Sequence, residues 1–204
     1  MAEGASSPAL ILASASPHRR QLLKAAGLSF EVVPAAVDEA ATKRALARER
    51  QPASVVAGTL AAAKAQSVSA SLPQALVIGA DQVLACDGQL YDKPDDLAAA
   101  RLQLQQLRGR AHHLHSGVAL AHASQIVWRH GDSACLRMRH FSDAFLEGYL
   151  AEAGEAILGT VGAYQVEGVG IQLFECISGD ASTIIGLPML PLLAELRARG
   201  MIGT

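Results

Sequence analysis

Two adjacent arginines, Arg19 and Arg20, stand in LILASASPHRRQLLKAAG, Leu10 to Gly27, just inside what reads as a helix. Ser16 offers an N-cap oxygen, Pro17 suits the first helical position, and Gly27 suits the stop. Free backbone N–H groups at this end favour anions, whereas cations are ordinarily favoured at the other end. The pair is therefore either a solvated basic turn or one wall of an anion site. Asp81 follows the apolar run ALVIGA, where a carboxylate either caps the next turn or stands at a ligand crevice beyond a strand's exit. Lys93 comes after Asp87-Gly88, a hairpin signal that folds the chain back towards Asp81. Lys64, in AAAKAQ, either snorkels its stem along the core or reaches phosphate oxygens. VDE, Val37 to Glu39, adds carboxylates in a polar loop. As a set, Arg19, Lys64 and Lys93 would neutralise a triphosphate while Glu39 and Asp81 hold a divalent metal. Magnesium is commonly bound in this way, by one or two carboxylates plus substrate phosphates.

Other chemistries lack their residues. There is no GxxxxGK[ST], and EGVGIQ has two glycines but no third at the spacing of a dinucleotide fingerprint. HHLH, His112 to His115, resembles a metal cluster. On a strand, however, His113 and His115 share a face and His112 points away. Neither GxSxG nor a Cys–His signature is present, so covalent acyl catalysis has no support.

The elements that must hold this set alternate in kind. The chain has 204 residues, half of them hydrophobic, and a net charge of −2. That suits one folded domain over residues 1–204 and gives no general attraction for nucleic acid or an anionic membrane. No apolar run approaches the roughly 20 residues of a membrane span. The opening MAEGASSP lacks the basic and apolar regions of a signal peptide, and Cys86, Cys135 and Cys176 show no CxxC pair. A cytoplasmic protein with reduced thiols is expected. Strands are expected at Leu10 to Ala13, FEVVP, ALVIGAD, QVLACDGQLY with its hairpin, HHLHSGVALAHA, QIVWRH, ACLRMRHF and IQLFECI. Helices are expected over ASVVAGTLAAAKAQSVSAS, from Pro94 to Leu107, from Ser142 to near Gly154, and from Pro188 to Arg199. Helices and hairpins intermix, so the fold class is α/β with a mixed sheet.

In order along the chain, LASASPHRRQLL, VDE, AAAKA, IGADQV, DGQLYDKP, LRGRAHHLHSGVAL, GAYQVEGVG and SGDASTIIGLP resemble the Maf-like nucleoside triphosphate pyrophosphatases. The resemblance runs from about Leu10 to about Leu196. It implies an elongated, two-lobed, inosine triphosphatase-like fold with a central cleft, and a cytoplasmic homodimer. It also implies hydrolysis of a nucleoside triphosphate between the α and β phosphates with a divalent cation, magnesium, manganese or cobalt. By position it makes Asp81 the proton acceptor and places Ser14, Arg19, Glu39, Lys64 and Lys93 at phosphates and metal. It makes His18, Gln82 and Glu167 the residues that select the base. The branch favouring 7-methyl-GTP typically has an aromatic residue, Gln and Glu there, and the branch favouring dTTP and UTP has Arg, Thr and Gln. This chain agrees with the first at Gln82 and Glu167 and departs from both at His18. The family's association with septum formation offers another reading, a nucleotide-binding regulator without turnover. Glu167 can accept from the N–H edge of the cationic 7-methylguanine ring, and a neutral His18 can stack on it.

Overall fold

The structure, a computed structural model, describes residues 8–203. Among these residues seven strands form one mixed sheet: β1 (Leu10–Leu12), β2 (Glu31–Val32), β3 (Leu76–Cys86), β4 (Gln89–Tyr91), β5 (Ala111–His122), β6 (Gln125–Met138) and β7 (Phe174–Ser178). Their order is β2-β1-β3-β5-β6-β7, with β4 attached to β3. β1 runs parallel to β2 and β3, and the remaining pairings are antiparallel. Flanking helices are α1 (Pro17–Ala25), α2 (Glu39–Arg48), α3 (Ala53–Ser71), α4 (Leu97–Leu107), α5 (Asp143–Ala153), α6 (Ala181–Ile185) and α7 (Met189–Ala198). The mixed α/β architecture expected from the sequence is the one observed. No described helix is long and apolar enough to cross a membrane. The reading of MAEGASSP as free of a targeting signal falls, apart from Pro8, outside the described residues.

β3 organises the site. β1 pairs with its Leu76–Ile78 and β4 with its Leu84–Cys86, while β5 follows its other edge from Val77 to Ala85. Between them Gly79 to Val83 meet no strand on the β1/β4 side, so the sheet is notched there. The apolar cores divide at the same level. Leu76, Ile78 and Ala80 pack with Leu23 of α1 and Leu192 of α7, whereas Leu84 and Cys86 pack with Leu104 of α4 and Leu146 of α5. Two lobes thus share the long strands, and the cleft between them is the notch.

α3 lies unusually close to the sheet because facing positions carry no bulk. A Cβ on Gly79 would come within 2.1 Å of the Ala61 carbonyl oxygen, and one on Gly117 within 2.7 Å of the Ala57 oxygen. Alanines on the helix and glycines on the strands therefore let backbone rest on backbone. The approach brings Lys64 down to Asp81.

Several local expectations are corrected. Asp81 does not end a strand; β3 runs through it to Cys86. VDE is not all loop: Asp38 accepts from the Ala41 N–H at 2.8 Å and caps α2, whose first residue is Glu39. α2 buries none of its residues, so no apolar stripe announced it. Pro94 does not open α4, because Asp96 caps the open N–H of Ala99 at 2.7 Å and the helix starts at Leu97. QIVWRH and ACLRMRHF are one strand, since Gly131 stays paired with Gly117 on β5 and the ladder passes through what read as a turn. IQLFECI divides into a 3₁₀ turn, Val169–Leu173, and β7. FEVVP pairs only at Glu31–Val32, ahead of Pro34, which has no N–H to give a ladder. The hairpin holds: Asp87 and Gly88 take φ of 48° and 81°, as a two-residue turn matched to strand twist requires.

Candidate active site

The notch is lined by charges arriving from five segments of the chain. Asp81, buried in mid-β3, accepts through Oδ1 from the Lys64 ammonium at 2.6 Å. The same ammonium lies 2.8 Å from Oε1 of Glu39, at the start of α2. Burial alone would raise the Glu39 carboxyl, but the hydrogen bond and charge of Lys64, with Lys43 and Lys93 behind it, hold it below its ordinary value. Lys93 arrives by register: Tyr91 pairs with Leu84, so the residues after it return to the level of Asp81 and Gln82. Partial burial, then the charges of Arg19 and Lys64, lower the Lys93 ammonium, with Glu39 and Asp81 opposing.

Arg19 is turned inward. Its Nε donates to the Gly186 carbonyl at 2.8 Å, and its Nη1 donates to Ser14 Oγ and to the Ala80 carbonyl, both at 3.0 Å. Ala80 lies in the notch, so the guanidinium satisfies a carbonyl that a neighbouring strand would otherwise cap. The two N–H groups of Nη2 remain for a ligand. Desolvation lowers the Arg19 group, while Asp81 and Glu39 support its charge. Ser14 Oγ also accepts from the Ser16 N–H at 3.3 Å, leaving its own hydroxyl proton to donate. Arg20 is exposed. All these groups except Ser14 and Arg20 line a cleft of ≈ 290 Å³. Lys43, Asp92 and Thr160 line it as well and were not expected from the sequence. Lys43 stands one turn beyond Glu39, so recognising α2 as a helix would have found it.

The cleft continues past Gln82 into a hollow of ≈ 30 Å³ formed by His18, Leu114, Tyr164, Val166, Glu167 and Ile184 among others. The Gln82 amide nitrogen donates to the carbonyls of Thr183 and Ile184, at 3.0 and 2.9 Å, and to Ser116 Oγ at 3.0 Å. Ser116 spends its own proton on the Thr183 carbonyl at 2.8 Å, so every neighbour on that side is an acceptor. The amide therefore cannot be flipped, and its oxygen is the atom left for a ligand. Nδ1 of His18 lies 3.1 Å from Glu167 Oε1, and Gln165 donates toward His18 Nε2 at 3.5 Å. A carboxylate only accepts, so Nδ1 carries a proton and Glu167 fixes the orientation of the ring. His18 and Glu167 are thus coupled, and one Glu167 oxygen remains for a base.

Behind this hollow His112 is fully buried, its Nε2 2.8 Å from the Tyr164 hydroxyl and its Nδ1 without a partner. Burial, then His113, pushes its imidazole down to about 4. His113 and His115 stack on the other face at 6.0 Å between ring centroids. No three His, Cys, Asp or Glu side chains among the described residues gather as a metal cluster. What exists instead is a pair: Oδ1 of Asp81 and Oε1 of Glu39 converge on one cationic point, held by Lys64. Two converging carboxylate oxygens fit the protein's share of a magnesium site completed by phosphates and water.

Comparison with known proteins shows which family the chain resembles. The chain is 50% identical over 188 residues to the nucleoside triphosphate pyrophosphatase of Granulibacter bethesdensis, covering 92% of this chain and 95% of that protein. It is 49% identical over 195 residues to the 7-methyl-GTP pyrophosphatase of Rhizobium meliloti, covering 96% and 98%. A nucleoside triphosphate pyrophosphatase of Paramagnetospirillum magneticum is 50% identical over 190 residues, covering 93% and 98%. The Maf-like protein model matches residues 9–199, nearly all of the chain and every residue of the notch, and with these relatives it makes the chain a member of the Maf-like protein family.

Proposed function

We propose that this protein hydrolyses a nucleoside triphosphate between its α and β phosphates, releasing a monophosphate and pyrophosphate, with 7-methyl-GTP as the preferred substrate. The observation that carries the reaction is Lys64 bridging Asp81 and Glu39 inside a notch lined by Arg19 and Lys93. Phosphoryl transfer depends chiefly on positioning and charge neutralisation, and this site is built of those two means. Glu39 and Asp81 would hold a divalent cation, which supplies charge neutralisation at the phosphates when bound. Lys64 then turns from the carboxylates to phosphate oxygens, joined by Lys93 and the free Nη2 of Arg19. Asp81, released from Lys64, accepts the proton of the water that attacks the α phosphorus. Base choice rests on two acceptors at the hollow, the Gln82 amide oxygen and the free Glu167 oxygen. They suit the N–H edge of guanine and oppose the carbonyl oxygens of thymine and uracil, and the Glu167 charge favours the cationic methylated ring. Relatives named for 7-methyl-GTP support the same preference.

The test is a panel of 7-methyl-GTP, GTP, dTTP and UTP, each with magnesium, manganese or cobalt, read as pyrophosphate released. The highest kcat/KM is expected with 7-methyl-GTP. Asp81→Asn should keep its thermal transition and much of its nucleotide binding while kcat falls about 10²- to 10⁴-fold. A folded Asp81→Asn protein with near-normal turnover would remove Asp81 from the chemistry, and a wild type preferring dTTP would overturn the base assignment alone.

A further inference from the structure

We propose that Lys43 binds the outer phosphates of the substrate and holds pyrophosphate as it leaves; this rests on the pyrophosphatase reading above. Lys43 projects from α2 into the cleft and forms an ion pair with Asp92, across the mouth from it. Asp92 is 73% exposed, and a pair with so wet a partner contributes little and exchanges readily. A terminal phosphate, or departing pyrophosphate, offers more charge and more acceptor oxygens than that carboxylate, so Lys43 is a stored cation rather than a fixed strut.

Position decides which phosphates it meets. Gln82 belongs both to the cleft and to the hollow that holds Glu167, whereas Lys43 and Asp92 line the cleft only. A nucleotide with its base in the hollow and its α phosphorus at Asp81 has its β and γ phosphates in the cleft that Lys43 and Lys93 line. During hydrolysis the water oxygen bonds to the α phosphorus and its proton passes to Asp81. The α–β bridging bond breaks and its electron pair goes to the departing pyrophosphate. Negative charge therefore grows on the group beside Lys43, where a cation favours the transition state over the bound substrate. Asp92 takes Lys43 back once pyrophosphate departs.

Calorimetry with inorganic pyrophosphate in magnesium buffer tests the assignment, with 7-methyl-GMP as the second probe. Lys43→Met should raise the pyrophosphate Kd about ten- to a hundred-fold, the range for one lost charge-assisted hydrogen bond, and leave the monophosphate Kd unchanged. The KM for every triphosphate should rise by a similar factor and kcat should fall as well, and Lys43→Arg should restore most of both losses. Asp92→Asn frees Lys43 without removing it, so pyrophosphate should bind as well or more tightly. If Asp92→Asn weakens pyrophosphate as much as Lys43→Met, the pair merely braces α2 against the loop after β4 and the assignment falls. It falls too if Lys43→Met binds pyrophosphate like the wild type. A wild type that binds pyrophosphate through Lys43 yet forms no monophosphate overturns the proposed reaction and leaves the Lys43 site standing.

Discussion

The Gln82 amide nitrogen faces three acceptors, the Thr183 and Ile184 carbonyls and Ser116 Oγ, and this makes its chemistry unforgiving. An isosteric Gln82→Glu change would set a carboxylate oxygen against those oxygens, whereas Gln82→Ala only removes a donor. The isostere should therefore be less stable than the truncation by about 1–3 kcal/mol at pH 7, the cost of an unmatched polar group. Protonation restores a donor, so the Glu variant should recover part of that stability on acidification: the carboxyl is held protonated longer in the folded state, and the deficit sets in above its unfolded pKa and is complete once pH passes the higher folded one. Urea unfolding of both variants at pH 7 and 5 reads the difference, and a Gln82→Glu protein as stable as Gln82→Ala at pH 7 would show that the amide is not held as described. The same reasoning explains Arg19. Most of its donors serve Gly186, Ser14 and Ala80, so it shapes the notch as much as it meets a ligand.

α3 and the strands beneath it set where Lys64 sits, and the two kinds of glycine in this region should respond oppositely to a methyl group. Gly79→Ala drives a Cβ into the Ala61 and Ala65 backbone and should cost at least about 1–3 kcal/mol while lifting Lys64 from Asp81. A Cβ on Gly58, within α3 itself, meets nothing within 4 Å, so Gly58→Ala should stabilise by about 0.5–1 kcal/mol through helix propensity. Thermal transitions of the two proteins make the comparison; a Gly79→Ala protein as stable as wild type would mean that α3 does not rest on the strand. Much at this scale was legible beforehand. Ser16, Pro17 and Gly27 framed α1, the alanine run marked α3, and Asp87-Gly88 returned Lys93 to Asp81. α2 was not legible because it buries nothing, and Lys43 was missed with it. The inward turn of Arg19 was hidden because it depends on carbonyls at Ala80 and Gly186, far away in sequence. His18, Gln82 and Glu167 were reached through family resemblance; no local pattern separates them from ordinary surface residues. The notch itself is a relation among β1, β3 and β4, and no single segment encodes where one strand stops before another begins.

At the scale of the whole molecule, His112 links the lobe behind the base hollow to the protein's response to acid. Its folded pKa, about 4, lies below the ordinary value of 6.5 because the imidazole is buried. The unfolded chain therefore binds a proton between those values that the folded one refuses. Stability is full above about 6.5 and is lost as pH falls towards 4, with no further loss from this group below that. The difference amounts to roughly 3 kcal/mol. His112→Phe should flatten the stability profile over that range, at some cost near neutrality because the Tyr164 hydroxyl loses its partner. Urea midpoints measured from pH 7 to pH 4 would show it, and an unchanged slope would assign the acid response to other groups. The notch also bears on how these molecules behave in a crowd. An interrupted sheet edge is a template on which another chain can lay a strand, and proteins commonly guard such edges with charge. Here the guanidinium on the Ala80 carbonyl and the lysine beside it occupy that edge. The guanidinium placed for phosphate thus also leaves no bare carbonyl at Ala80 for a further strand, a duty that measurements of turnover do not register.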